Sequence, residues 1–130
     1  NITIHAGEGD GVHSIQEALD NGAKRIGHGV RISEDINEDN ELGNTADYVL
    51  QNNIPLEICI TSNLHTNMYK SPQDHPISRL HNLGFNISLN TDNRLMSNTS
   101  IDNELNVAKA AGIEDPTSLL KYSASDSFLN

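Results

Sequence analysis

Three observations in the sequence predict an α/β fold with an all-parallel sheet. Strand-like apolar segments alternate with helix-like segments, the strands opening near positions 2, 25, 54 and 86. Each gap holds one helix and its loops, the βαβαβαβ spacing that parallel crossovers require and hairpins do not. Ionisable residues also recur at the carboxyl ends of the strand-like segments, in His5-Ala6-Gly7-Glu8, Ile26-Gly27-His28-Gly29 and Asn90-Thr91-Asp92-Asn93. A parallel α/β barrel builds its active site at those ends.

Residues 2–5 read as the first strand. Ser14-Ile15-Gln16-Glu17 has the form of a capping box before Ala18 and Leu19, and Asn21-Gly22 can stop that short helix. Residues 25–28 form the second strand. Segment 34–41 carries five acids and reads as a solvated loop. Ala46-Asp47-Tyr48-Val49-Leu50 has helical spacing and stops at Asn52-Asn53. The third strand covers 56–60, with Pro55 at the entry, where no ladder N–H is needed. A helix over 77–83 begins beside Pro76 and ends at Gly84, and 85–89 make the fourth strand. Two helices finish the chain, one capped by Thr99 with Asp102 and running to Ala111-Gly112, the other running from Asp115-Pro116 to about Phe128.

At 130 residues the chain is read as one structural unit, 1–130. Four strand–helix units are half of an eightfold barrel, whose inward side chains need an opposite wall to pack against. An open dinucleotide-binding sheet fits less well, because Gly7-Glu8-Gly9-Asp10-Gly11 lacks the required glycine spacing. The chain opens directly in strand-like sequence without an initiator methionine, so it is expected to be cut from something longer.

A net charge of -10, with only 8 Lys and Arg, excludes a nucleic-acid binder and a basic membrane-surface helix. No apolar run approaches the roughly 20 residues that span a bilayer. The single cysteine, Cys59, lies in an apolar run, which excludes an intrachain disulfide and a paired-cysteine zinc site. A cytoplasmic setting is expected.

Taken singly, the polar residues at the strand ends have ordinary structural uses. His5 could be a partly buried histidine, Glu8 a loop carboxylate, His28 a turn residue and Asp92 a helix N-cap. Each also suits chemistry: His5 and Asp92 as zinc donors, Glu8 as a general acid, His28 as a base or an electrostatic stabiliser. Their joint position at strand ends facing one barrel mouth favours the chemical reading.

The segments H-A-G-E at 5–8, R-I-G-H-G at 25–29, P-L-E-I-C-I-T-S-N at 55–63 and S-L-N-T-D-N at 88–93 resemble, in order and spacing, the adenosine/AMP deaminase family. The resemblance covers nearly the whole chain. It implies the C-terminal half, strands 5 to 8, of a TIM (β/α)8 barrel with extra C-terminal helices, the first half being missing. It further implies zinc-dependent hydrolytic deamination of adenosine to inosine and ammonia, with a purine nucleoside as partner. On this resemblance His5 and Asp92 would bind zinc (Zn2+), and Glu8 would act at purine N1. His28 would hold the attacking water, and Gly7 and Asn93 would contact substrate.

Two departures stand out. Asn93 occupies a position where the more familiar pattern has an aspartate facing purine N7, and an amide can still donate there. The H-x-H pair that completes the family's zinc site occurs nowhere in these 130 residues. The chain alone is therefore expected to be inactive, and its open sheet edges to self-associate or pair with the missing N-terminal half. The alternatives are an adenine or other aminopurine deaminase of the same superfamily, and a non-catalytic half-barrel that binds a nucleoside or a partner protein.

Overall fold

The structure, a computed structural model, describes residues 2–120. Four strands, β1 (Thr3–Ala6), β2 (Arg25–His28), β3 (Leu56–Ile58) and β4 (Ile87–Leu89), form one sheet in the order β1-β2-β3-β4. Every neighbouring pair is parallel. They are accompanied by the α-helices α1 (Val12–Asp20), α2 (Asn44–Gln51), α3 (Ile60–His65), α4 (Ile77–Asn82), α5 (Arg94–Ser97) and α6 (Ile101–Ala110). The alternation read from the sequence therefore yields the predicted α/β fold with a parallel sheet. No described helix is long and apolar enough to cross a membrane.

The register sorts the sheet into two faces, because side chains alternate along each strand. Ile4, Ile26, Leu56 and Ile87 align in one row. They pack in a single core with Ile15 and Ala18 of α1, Ala46 and Val49 of α2, and Ile77 and Leu80 of α4. The opposite row, His5, Gly27, Glu57 and Ser88, is polar. Beside it Arg25 Nη1 lies 3.3 Å from Glu57 Oε1.

Several local expectations are corrected by tertiary contacts. The box at Ser14 does not cap α1, which starts at Val12 after Gly11 without a side-chain cap. The Ser14 hydroxyl instead donates to Gly11 O and accepts from Gly7 N–H, tying down the loop after β1. The third strand ends at Ile58, and Ile60 begins α3. The acidic segment is only partly a solvated loop. Val30–Asp35 is a 3-10 helix, and Asp35 Oδ2 accepts the Ala46 N–H at 2.8 Å near the start of α2. Ser100, not Thr99, caps α6. The last expected helix opens at Ser118, and its continuation lies outside the described residues.

His75 is 3% exposed and holds its place as a neutral ring. Its Nδ1 accepts the Ile77 N–H at 3.2 Å, so the proton sits on Nε2, 3.2 Å from Asn63 Oδ1. Burial pushes its pKa down to about 4. The folded state therefore binds this proton less readily than the unfolded chain. The associated stability is complete above pH 6.5, the ordinary histidine value, and is lost as pH falls toward 4. Urea titrations across that window should show a loss of about 3 kcal/mol that the His75→Gln variant lacks.

Candidate active site

Three of the four strands end in a residue or turn that carries a candidate group. β1 runs into Gly7 in the left-handed conformation (φ 65°), where a side chain would press within 2.5 Å of Ile15 Cδ1. Gly7 N–H is taken by Ser14, so Gly7 offers a ligand the absence of a side chain rather than a donor. Its turn delivers Glu8. β2 ends at His28, itself left-handed (φ 65°), a conformation costly for a residue with a Cβ. Asp92, beyond β4, is likewise left-handed (φ 55°). Left-handed non-glycine residues at the ends of two strands of one sheet, β2 and β4, mark places where a fold holds functional groups.

The three side chains converge. His28 is 2% exposed, and its Nε2 lies 3.5 Å from Glu8 Oε2 and 3.9 Å from Asp92 Oδ2. One potential ligand atom from each of Glu8, His28 and Asp92 lies within 4.8 Å of the others, a spacing that can hold a metal ion. Asp92 Oδ2 also accepts a hydrogen bond from Ser62 Oγ at 2.9 Å.

His5 stands beside this trio rather than within it. Its ring meets the His28 ring edge-on, with centroids 5.1 Å apart and planes at 73°. It lies directly over Gly27, where an added Cβ would come within 2.5 Å of its Cδ2. His5, His28 and Asp92 nevertheless line one cavity of about 250 Å³, together with Glu57, Cys59 and Asn90. Glu8 lines an adjoining cavity of about 320 Å³ with His5 and Gly7.

Asn93 caps α5, its Oδ1 accepting from Leu95 N–H and Met96 N–H. With the oxygen used by the backbone, the amide nitrogen is the end left for a ligand. Burial pushes the Cys59 thiol well above its ordinary value, and Asp92 and Glu104 add to the shift. Cys59 is 4% exposed, and its thiol lies 3.5 Å from Glu57 O at the cavity wall. His13, His65, His75 and His81 lie outside the cluster. Ser62 was legible only as part of the 55–63 motif, without a role. Glu104 had no sequence signal at all.

The donor set, an imidazole and a carboxylate on one cavity, suits zinc. The described residues supply part of such a site rather than a full set of ligands.

The adenosine deaminase family model matches residues 1–128. Adenosine deaminase 1 of Streptomyces coelicolor is 52% identical over 108 residues, which cover 79% of this chain and 27% of that protein. The adenosine deaminase of Mycolicibacterium vanbaalenii is 47% identical over 109 residues, 80% of this chain and 30% of that protein. The chain thus spans less than a third of the length of these relatives.

Among solved structures, the Arabidopsis N6-mAMP deaminase MAPDA superposes with a TM-score of 0.79 at 28% identity, covering 100% of this chain and 37% of that one. Arabidopsis ADAL complexed with GMP gives 0.79 at 27% identity, with coverage of 100% and 37%. An adenine deaminase of Arthrobacter aurescens, at 23% identity and a TM-score of 0.62 over 95% of this chain and 42% of that one, shares the fold.

Proposed function

Because the chain belongs to the adenosine deaminase family, we propose that within the full-length protein it supplies the acid, the base and part of the zinc site for deamination of adenosine to inosine, and of deoxyadenosine to deoxyinosine, with release of ammonia. The observation that carries this reading is the convergence of Glu8, His28 and Asp92 within 4.8 Å at the ends of a parallel sheet. We read the sheet as strands 5 to 8 of a (β/α)8 barrel, and 1–130 as the corresponding part of a cytoplasmic barrel domain.

His5 and Asp92 would hold the zinc, since both line the cavity of about 250 Å³ that Glu8 does not line, although His5 also borders the neighbouring one. When bound, zinc supplies a Lewis acid that makes water a nucleophile near neutral pH. Glu8 gives a proton or hydrogen bond to purine N1, relieving the negative charge that builds as water adds to C6. His28 holds the attacking water and takes its proton at Nε2, with the Glu8 and Asp92 carboxylates placed to stabilise the imidazolium. Transfer of the proton held by His28 to the exocyclic amino nitrogen lets ammonia leave as the C6–N bond breaks, and the C6 hydroxyl proton returns to Glu8. Gly7 leaves room for the purine ring, and the Asn93 amide donates toward N7.

Activity of the purified full-length protein on adenosine, adenine and N6-methyl-AMP tests this directly. The highest kcat/KM is expected with adenosine. Likeness to the Arabidopsis N6-mAMP deaminase supports a second reading, a deaminase of another aminopurine, and preference for N6-methyl-AMP would establish it. The 130-residue chain alone, without an H-x-H pair, is expected to give no turnover. Its outer strands β1 and β4 should pair with the N-terminal half or with a second copy. A monodisperse monomer at high concentration in sedimentation would refute that pairing.

A further inference from the structure

Glu104 is a carboxylate with no exposed surface, on α6 and 44 residues from its main-chain partner Ile60. No ion pair to it forms among the described residues. Its Oε2 accepts the N–H groups of Ile60 (3.0 Å) and Thr61 (3.3 Å), the first turn of α3, and its Oε1 accepts the Thr99 hydroxyl (3.0 Å). Burying an acid without a counter-charge is costly, so three hydrogen bonds and the positive end of a helix must offset it. A leucine would fill the volume at lower cost. What a leucine could not do is impose helix on Ile60-Thr61, a β-branched pair that continues an apolar strand sequence.

The position of that turn matters for chemistry because the next residue is Ser62, whose hydroxyl donates to Asp92 Oδ2 at 2.9 Å. The first turn of α3 therefore touches two carboxylates. Its backbone N–H groups are held by Glu104, and its Ser62 side chain holds Asp92. Had β3 simply continued, side-chain alternation would aim position 62 elsewhere.

We propose that Glu104 is a positioning residue for the deamination centre, fixing the first turn of α3 so that Ser62 orients the Asp92 carboxylate beside His28. This rests on the functional reading above. Glu104 itself touches no reacting atom and acts through α3 and Ser62.

The test uses the full-length enzyme with Glu104→Gln, Ser62→Ala and the double variant, reading kcat, KM and zinc affinity by chelator competition. Groups that orient a metal ligand typically contribute about tenfold or more to metal affinity or activity. Glu104→Gln should therefore lower kcat and zinc affinity about tenfold, with KM nearly unchanged. If Glu104 acts through Ser62, the double variant should be no worse than Ser62→Ala alone to within about twofold. Effects that multiply, or a Glu104→Gln enzyme with unaltered kcat and zinc affinity, would overturn the proposal.

Should Glu104→Gln fail to fold, Thr99→Val removes one of the carboxylate's three partners. It should give a smaller loss with the same non-additivity toward Ser62→Ala, and multiplying effects would again overturn the assignment. An unsubstituted enzyme that leaves adenosine intact would defeat the functional reading instead, and the zinc-competition cycle would still decide the role of Glu104.

Discussion

Replacing Glu8 with glutamine is expected to lower kcat by about a hundredfold to ten-thousandfold, the range spanned by a positioned general acid. Glutamine preserves the size of the side chain and can still offer an amide hydrogen to purine N1, but it has no proton to transfer. Substrate binding should therefore change little while the chemical step collapses. The same variant decides between two roles that the geometry alone permits. Glu8 Oε2 sits 3.5 Å from His28 Nε2 in a trio compact enough to grip a metal. If Glu8 is the acid, Glu8→Gln should retain the zinc of the unsubstituted enzyme. A large drop in zinc content would make Glu8 a ligand and reassign the proton donor.

Gly27→Ala is expected to cost about a hundredfold in activity, the scale of loss that follows from a misplacement of about 1 Å at a reacting centre. The added methyl would lie 2.5 Å from His5 Cδ2 and 3.0 Å from its Nε2. Two non-bonded carbons cannot sit 2.5 Å apart, so the His5 ring must shift from its place over Gly27. If His5 is a zinc donor, zinc affinity falls with activity, and circular dichroism should still report the α/β fold. Retained zinc affinity with lost activity would place His5 in substrate contact instead. Gly27 lines the cavity beneath the His5 ring, and the sequence shows only its place in the R-I-G-H-G segment.

The four strands were legible because their apolar residues fall in short runs separated by helix-length gaps, and the sheet's core-facing row, Ile4, Ile26, Leu56 and Ile87, consists of those residues. Glu8, His28 and Asp92 were legible for the same reason: once the strands are placed, parallel topology carries their ends to one rim. The start of α3 was not. Cys59-Ile60 reads as continuing strand, whereas Ile60 opens a helix whose first N–H groups are accepted by a carboxylate more than 40 residues away. No local pattern encodes that contact. Ser14 shows the converse failure. Its local motif was genuine, but the Gly7 N–H competed for the hydroxyl and won. The helix α5, four residues long, is too short for periodicity to reveal and depends on the Asn93 cap.

As part of a zinc-dependent deaminating centre, this segment should make turnover in the full-length protein depend on the metal. The most direct test is to strip zinc from the full-length protein with a chelator, measure adenosine turnover, and then restore the metal. Loss of inosine formation on stripping, with recovery near one equivalent of zinc per chain, is the predicted result. Undiminished turnover in the metal-free protein, or purine binding that ignores chelation with no turnover in either state, would contradict it.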